Sequence, residues 1–222
     1  HMMKGDFSRF TFNKTKHYRR VLMQQGRVQL DADINEQQAI IQHQTEASTS
    51  DIIGPRGVPK TDGGFAVSFA PSDTDLKVSP GNIYVDGILC RNENSATTYL
   101  HQDDLPDAAP PIDPGLYLVY LDVFSRSITS LDDSSIKEKA LGGADTSIRE
   151  KTVWQVKLKR VKDDDKCSTF SSSSWQPLND PPSGEMKAEI PQVTDSGNLC
   201  TPIPPASGYR RLENQLYRVE IH

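Results

Sequence analysis

At 222 residues, with 35 % hydrophobic and 7 % aromatic content and with 14 Gly and 15 Pro, the chain is long enough for one buried core but is rich in turns and loops. Its net charge of −5, from 25 basic and 30 acidic residues, reads as mixed along the chain and supplies no basic stripe to neutralise phosphates, so nucleic-acid binding is not expected. No apolar run is long enough for a membrane span and none follows the basic start, so neither a span nor an export signal is expected.

His1 and Met2, ahead of Met3, read as a cloning scar, and residues 3–58 as an N-terminal helical arm. Within it, Tyr18, Val21, Leu22 and Gln25 share one helical face, which predicts a short helix over Thr15–Gln25 with Gly26 as a left-handed stop. Asp33 and Glu36 form an expected capping box, with Asp31 and Asp33 near the positive helix end, and a second helix is predicted over Ile34–Ile52. Its heptad-spaced face reads Ile34, Gln38, Ile41, Thr45, Ser48, Ile52, too polar for an ordinary core stripe. Two readings fit it: a surface helix lying on the β domain, or an oligomer seam in which buried Gln and Thr fix the register.

Gly54-Pro55-Arg56-Gly57 ends the helix, and Thr61-Asp62-Gly63-Gly64 adds a second turn cluster. From residue 59 to 222 the pattern is that of a β-rich domain. Strands are predicted at Phe65–Phe69, at Ile83–Cys90 as a hairpin about Asp86-Gly87, at Tyr117–Phe124, at Val153–Val161 and at Leu216–Ile221. Long irregular stretches over Asp103–Pro114 and Asp163–Pro205 separate them. The expected fold is mainly β with an N-terminal α-helical arm, the β part being an antiparallel sandwich or barrel-like domain with long loops.

Residues that could carry chemistry read more simply as structure. Thr194-Asp195-Ser196-Gly197 holds one D-S-G copy, where acid catalysis by paired carboxylates needs two, and it sits in a Pro-rich turn. The acidic pairs Asp31/Asp33 and Asp132/Asp133 and the run Asp163–Asp165 lack calcium-loop spacing. Leu141-Gly142-Gly143 lacks the Lys-Ser/Thr ending of a phosphate loop. Asp145 and Arg149, four residues apart, are expected to form a structural ion pair. Cys90, Cys167 and Cys200 are odd in number and lie at no zinc-ligand spacing, which points to a reduced compartment and no structural metal. His17, His43, His101 and His222 have no nucleophile-elbow partner, so no catalytic residue and no cofactor is expected. Tyr84, Tyr99, Tyr117, Tyr120, Trp154 and Trp175 would suit a sugar-stacking face, but core packing accounts for most of them.

The opening KGDFSRFTFNKTKHYRRVLMQQGRVQLDADINEQ resembles the start of an uncharacterised family of large proteins found beside contractile injection systems and phage-tail-like particles. VSPGNIYVDGILC at 78–90, KALGGADTSIREKTVWQVKL at 139–158 and YRRLENQLYRVEIH at 209–222 extend the resemblance over much of the chain. Ile34 departs from it, standing where many relatives are expected to carry Trp. Because such proteins often continue into a parallel β-helix or fibre, the resemblance implies an N-terminal module cut from a longer protein. It also implies an attachment or assembly role at a baseplate, fibre or particle surface, with other particle proteins as partners and the same chain as a candidate oligomer partner. Such a module would be cytoplasmic during assembly and then part of a tail-like particle that is released or displayed. The alternatives are a carbohydrate-recognition module binding a cell-surface glycan, and a polysaccharide lyase or hydrolase accessory domain. A β-sandwich can host all three.

Overall fold

The computed structural model describes residues 5–69, 75–106, 108, 110, 114–162, 166 and 187. The chain divides into two compact units, His1–Asp163 and Asp164–His222, and every element described below belongs to the first. The Leu216–Ile221 strand, the D-S-G turn, Asp163–Asp165, Cys167, Cys200 and Trp175 lie outside the described residues.

The fold is mainly β with one N-terminal helix. Helix α1 (Asp31–Ile53) starts with Asp31 and Asp33 against the positive end of its dipole and stops at Gly54, whose N–H returns to the Ser50 carbonyl at 2.7 Å. Strand β1 (Arg56–Gly57) follows at once, so the arm expected to end at residue 58 closes with a strand of the first sheet. That sheet runs β1-β4-β5, where β4 is Gly81–Val85 and β5 is Ile88–Asn92. The expected hairpin forms about Asp86 (φ 48°) and Gly87 (φ 84°), both left-handed, which matches the right-handed twist of the flanking strands. The expected strand at Phe65–Phe69 shrinks to β2 (Val67–Ser68), because Phe65 itself takes a positive φ of 65°. β2 pairs with β3 (Lys77–Val78).

The longest pairing joins β6 (Tyr117–Ile128) to β7 (Arg149–Arg160), antiparallel and in register from Tyr117↔Arg160 to Ile128↔Arg149. The sheets are small, and among the described residues none closes into a barrel.

A two-stranded ribbon is marginal by itself in water, and here side chains hold it against the rest of the unit. Trp154 donates its indole N–H to the Arg91 carbonyl at 2.7 Å and meets Phe65 edge-on at 4.9 Å. Gln155 donates to the Asp104 carbonyl at 2.6 Å, and Lys151 pairs with the Asp104 carboxylate at 2.7 Å. Gln102 makes three bonds, donating to the carbonyls of Tyr99 and Val156 at 2.8 and 2.9 Å and accepting the Val156 N–H at 2.7 Å. Its carboxamide therefore satisfies both outward-facing backbone groups of Val156 as a neighbouring strand would.

The core gathers Val78, Tyr99 and Val156, flanked by Phe65, Leu76, Leu121 and Trp154. Asn92 organises its polar edge: the side chain donates to the Val78 and Ser79 carbonyls at 3.3 and 3.2 Å and accepts from the Thr97 hydroxyl at 3.0 Å. Cys90 is a free, buried thiol whose pKa burial pushes up to about 11. Because the thiolate is the reactive form, an alkylating reagent at mildly alkaline pH should leave the Cys90 peptide unmodified in native protein and modify it in denatured protein. Equal labelling in both states, read by peptide mass spectrometry, would contradict the burial.

Candidate interaction surface

The arm does not contain two helices. Only Lys14–Lys16 makes a 3-10 turn, with Asn13 accepting the Thr15 N–H at 2.9 Å and His17 (φ 56°) ending it. The apolar spacing over Thr15–Gln25 therefore does not mark a helix. The segment past His17 runs outside regular structure to a turn at Gln25-Gly26, and residues 5–30 form a strap tied to α1 through Ser8, Thr11, Phe12 and Val21. The expected capping box is also absent, because Leu30 occupies the N-cap with no side-chain cap. The helix-start acids serve the strap instead. Asp31 accepts from the Ser8 N–H at 2.9 Å and the Ser8 hydroxyl at 2.6 Å, contacts that hold its carboxyl below the ordinary range. Glu36 accepts from Thr11, and Gln37 accepts the Val21 N–H at 2.7 Å. Phe12 tilts against His43 with ring centroids 5.6 Å apart.

These ties are largely polar, and they leave apolar groups outside. Tyr18, Leu22 and Met23 are exposed on the strap, and Val28 is 83 % exposed. Val21, Leu22, Arg27, Val28 and Asp33 line part of a cleft of about 180 Å³ at the helix start.

All six residues of the heptad-spaced row face solvent: Ile34, Gln38, Ile41, Thr45, Ser48 and Ile52. Ile34 and Ile41 are about half exposed (49 % and 48 %), and Ile52 is 81 % exposed. Across its 23 residues α1 fully buries only Ala32 and Ile40. The row is thus outside the core of its own unit, and Thr45 turns its hydroxyl back to the Ile41 carbonyl at 2.9 Å.

Asp145 and Arg149 are not brought together. Arg149 opens β7 in extended conformation, which removes the helical spacing the pair required; it donates to the Ser147 hydroxyl at 2.7 Å and the Ile148 carbonyl at 3.2 Å. Asp145 accepts from the Ser130 hydroxyl at 3.2 Å. Of the residues offered as a sugar-stacking face, Tyr99 is in the core and Trp154 is engaged by Arg91 and Phe65.

Charge is less evenly mixed than the whole-chain balance implied. The strap carries Arg9, Lys14, Lys16, Arg19, Arg20 and Arg27 against the single acid Asp6, a net +5. α1 carries Asp31, Asp33, Glu36, Glu46 and Asp51 with no Lys or Arg, a net −5. Among the described residues no group of His, Cys, Asp and Glu could hold a metal ion, and no helix is long and apolar enough to cross a membrane.

The model of a family of unknown function, DUF6519, matches residues 3–176. The chain belongs to this family. The match spans the strap, α1 and the seven strands among the described residues, so the surface just described lies wholly inside the DUF6519 region. No curated protein and no solved structure matches the chain.

Proposed function

We propose that this chain is a structural attachment module of a phage-tail-like particle, presenting its strap and the outer row of α1 to another subunit and catalysing no reaction. The observation that carries this reading is the long helix that fully buries two side chains while leaving Ile34, Ile41 and Ile52 exposed beside a strap with exposed Tyr18, Leu22, Met23 and Val28. A helix in water draws most of its stability from the apolar face it packs, and contiguous exposed apolar surface marks interaction sites. The particle setting rests on the resemblance of residues 4–37, 78–90 and 139–158. Further copies of this chain and other particle proteins are the partners, and assembly in the cytoplasm precedes incorporation.

Size-exclusion chromatography with light scattering tests the surface directly. The wild-type chain should form a defined oligomer, and Ile41→Asp should reduce it to monomer with an unchanged far-UV circular dichroism spectrum, since Ile41 lies outside the core. A wild-type chain that is monomeric at every concentration, or a variant that assembles like the wild type, would remove the α1 row from any self-contact.

A further inference from the structure

We propose that the contact is built by charge pairing between copies: the basic strap of one chain docks on α1 of a second chain, along the isoleucine row that Asp33 and Asp51 edge. This inference rests on the assembly reading above and names both the partner and the residues that select it.

Within one copy the strap and α1 lie side by side with opposite net charge, yet their charges do not neutralise each other. The α1 carboxylates Asp31 and Glu36 are occupied by the neutral Ser8 and Thr11, and Glu46 accepts from Gln42. The ion pairs among the described residues join Arg126 to Asp132, Lys151 to Asp104 and Lys157 to Asp122, and His101 lies 3.5 Å from Asp75, so none draws on the strap or on α1. Arg9, Arg19, Arg20 and Arg27 stand exposed without an ion-pair partner, and Asp51 does so at the far end of the helix.

Asp51 sits in the last turn, where the helix dipole is negative and no basic side chain offsets it. A cation arriving there meets both charges at once. At 100° per residue, Asp33 and Asp51 fall on one line along α1, flanking the row Ile34, Ile41, Ser48, Ile52. The strap offers the complement in kind, since Arg19 and Arg20 stand between exposed Tyr18 and Leu22. Guanidinium groups next to apolar side chains suit a surface of isoleucines edged by carboxylates. Complementary fields of this kind set partner choice and register.

Charge exchange between variants is the test. Arg19→Glu/Arg20→Glu and Asp33→Lys/Asp51→Lys should each run as monomer by light scattering with wild-type circular dichroism. An equimolar mixture should recover the wild-type mass, because in each cross-contact the charges at positions 19 and 20 again oppose those at 33 and 51. The wild-type oligomer should also weaken at least about tenfold between low and high salt, as exposed pairs are screened. Should the Lys at Asp33 disturb the helix start, Asp51→Lys alone keeps the test, with a smaller loss that the Arg19→Glu/Arg20→Glu chain reverses. Variants that assemble like the wild type, or a mixture that stays monomeric, overturn charge pairing and leave the Ile41 result standing. A wild-type chain that never associates overturns both. Wild-type protein that remains monomeric but sediments with anionic phospholipid vesicles through Arg19 and Arg20 assigns the strap to a membrane surface instead.

Discussion

Gln102→Leu is expected to lower the unfolding free energy by roughly 2–6 kcal/mol, because a buried backbone group left without its partner costs about 1–3 kcal/mol. The substitution strands the N–H and C=O of Val156, itself 3 % exposed, and removes a donor from the Tyr99 carbonyl. Leu preserves much of the volume, so the loss reports hydrogen bonding and not a cavity. Gln102→Glu sharpens the test: at neutral pH a carboxylate would face two carbonyl oxygens with nothing to donate. A protonated acid can donate to one of them, so this variant has a carboxyl pKa raised on folding. Its stability relative to Gln102→Leu should therefore be greatest below the unfolded carboxyl pKa and fall as pH rises through the folded one. Urea denaturation followed by circular dichroism at two pH values measures both effects. A midpoint for Gln102→Leu within error of the wild type would mean that the β6–β7 ribbon is held by its other ties.

The parts legible in the sequence were those set by local backbone chemistry. Asp86-Gly87 between β-branched residues predicts a tight hairpin wherever it occurs, and Gly54-Pro55 ends a helix on steric grounds. Alternation over Val153–Val161 marked a strand, though it did not reveal that the pairing with β6 runs from residue 149 to 160. The failures share one cause, which is competition from distant partners. Asp33 and Glu36 had the spacing of a capping box, but Leu30 took the cap, and the acids around it went to Ser8 and Thr11, more than twenty residues away in sequence. Val21 and Leu22 have helical spacing, but the Val21 N–H donates to the Gln37 side-chain oxygen, which suits a strap lying on α1. Nothing in a lone Gln at position 102 announces that it will stand in for a strand. The charge separation between the strap and α1 was readable from the first 53 residues, but it vanishes when the balance is taken over the whole chain.

Gly87→Ala is expected to destabilise the chain by about 2–5 kcal/mol, the sum of a left-handed residue acquiring a Cβ at roughly 1–2 kcal/mol and overpacking at roughly 1–3 kcal/mol. Gly87 has φ 84°, and a Cβ there would overlap the Glu46 carbonyl oxygen and approach its carbonyl carbon to 2.8 Å. The β4–β5 turn thus rests against the backbone of α1 with no room for a methyl group. Gly142→Ala supplies the control, since Gly142 has φ 77° but nothing within 4 Å of the added carbon; it should cost only the backbone part, about 1–2 kcal/mol. The difference between the two variants isolates the packing of the hairpin turn on α1. Equal losses would show that the helix yields freely, in which case its position is set by the strap and by whatever docks on its outer row. A much larger loss at Gly87 would mean that the sheet fixes α1 from within, leaving Ile34, Ile41 and Ile52 facing outward as a rigid surface.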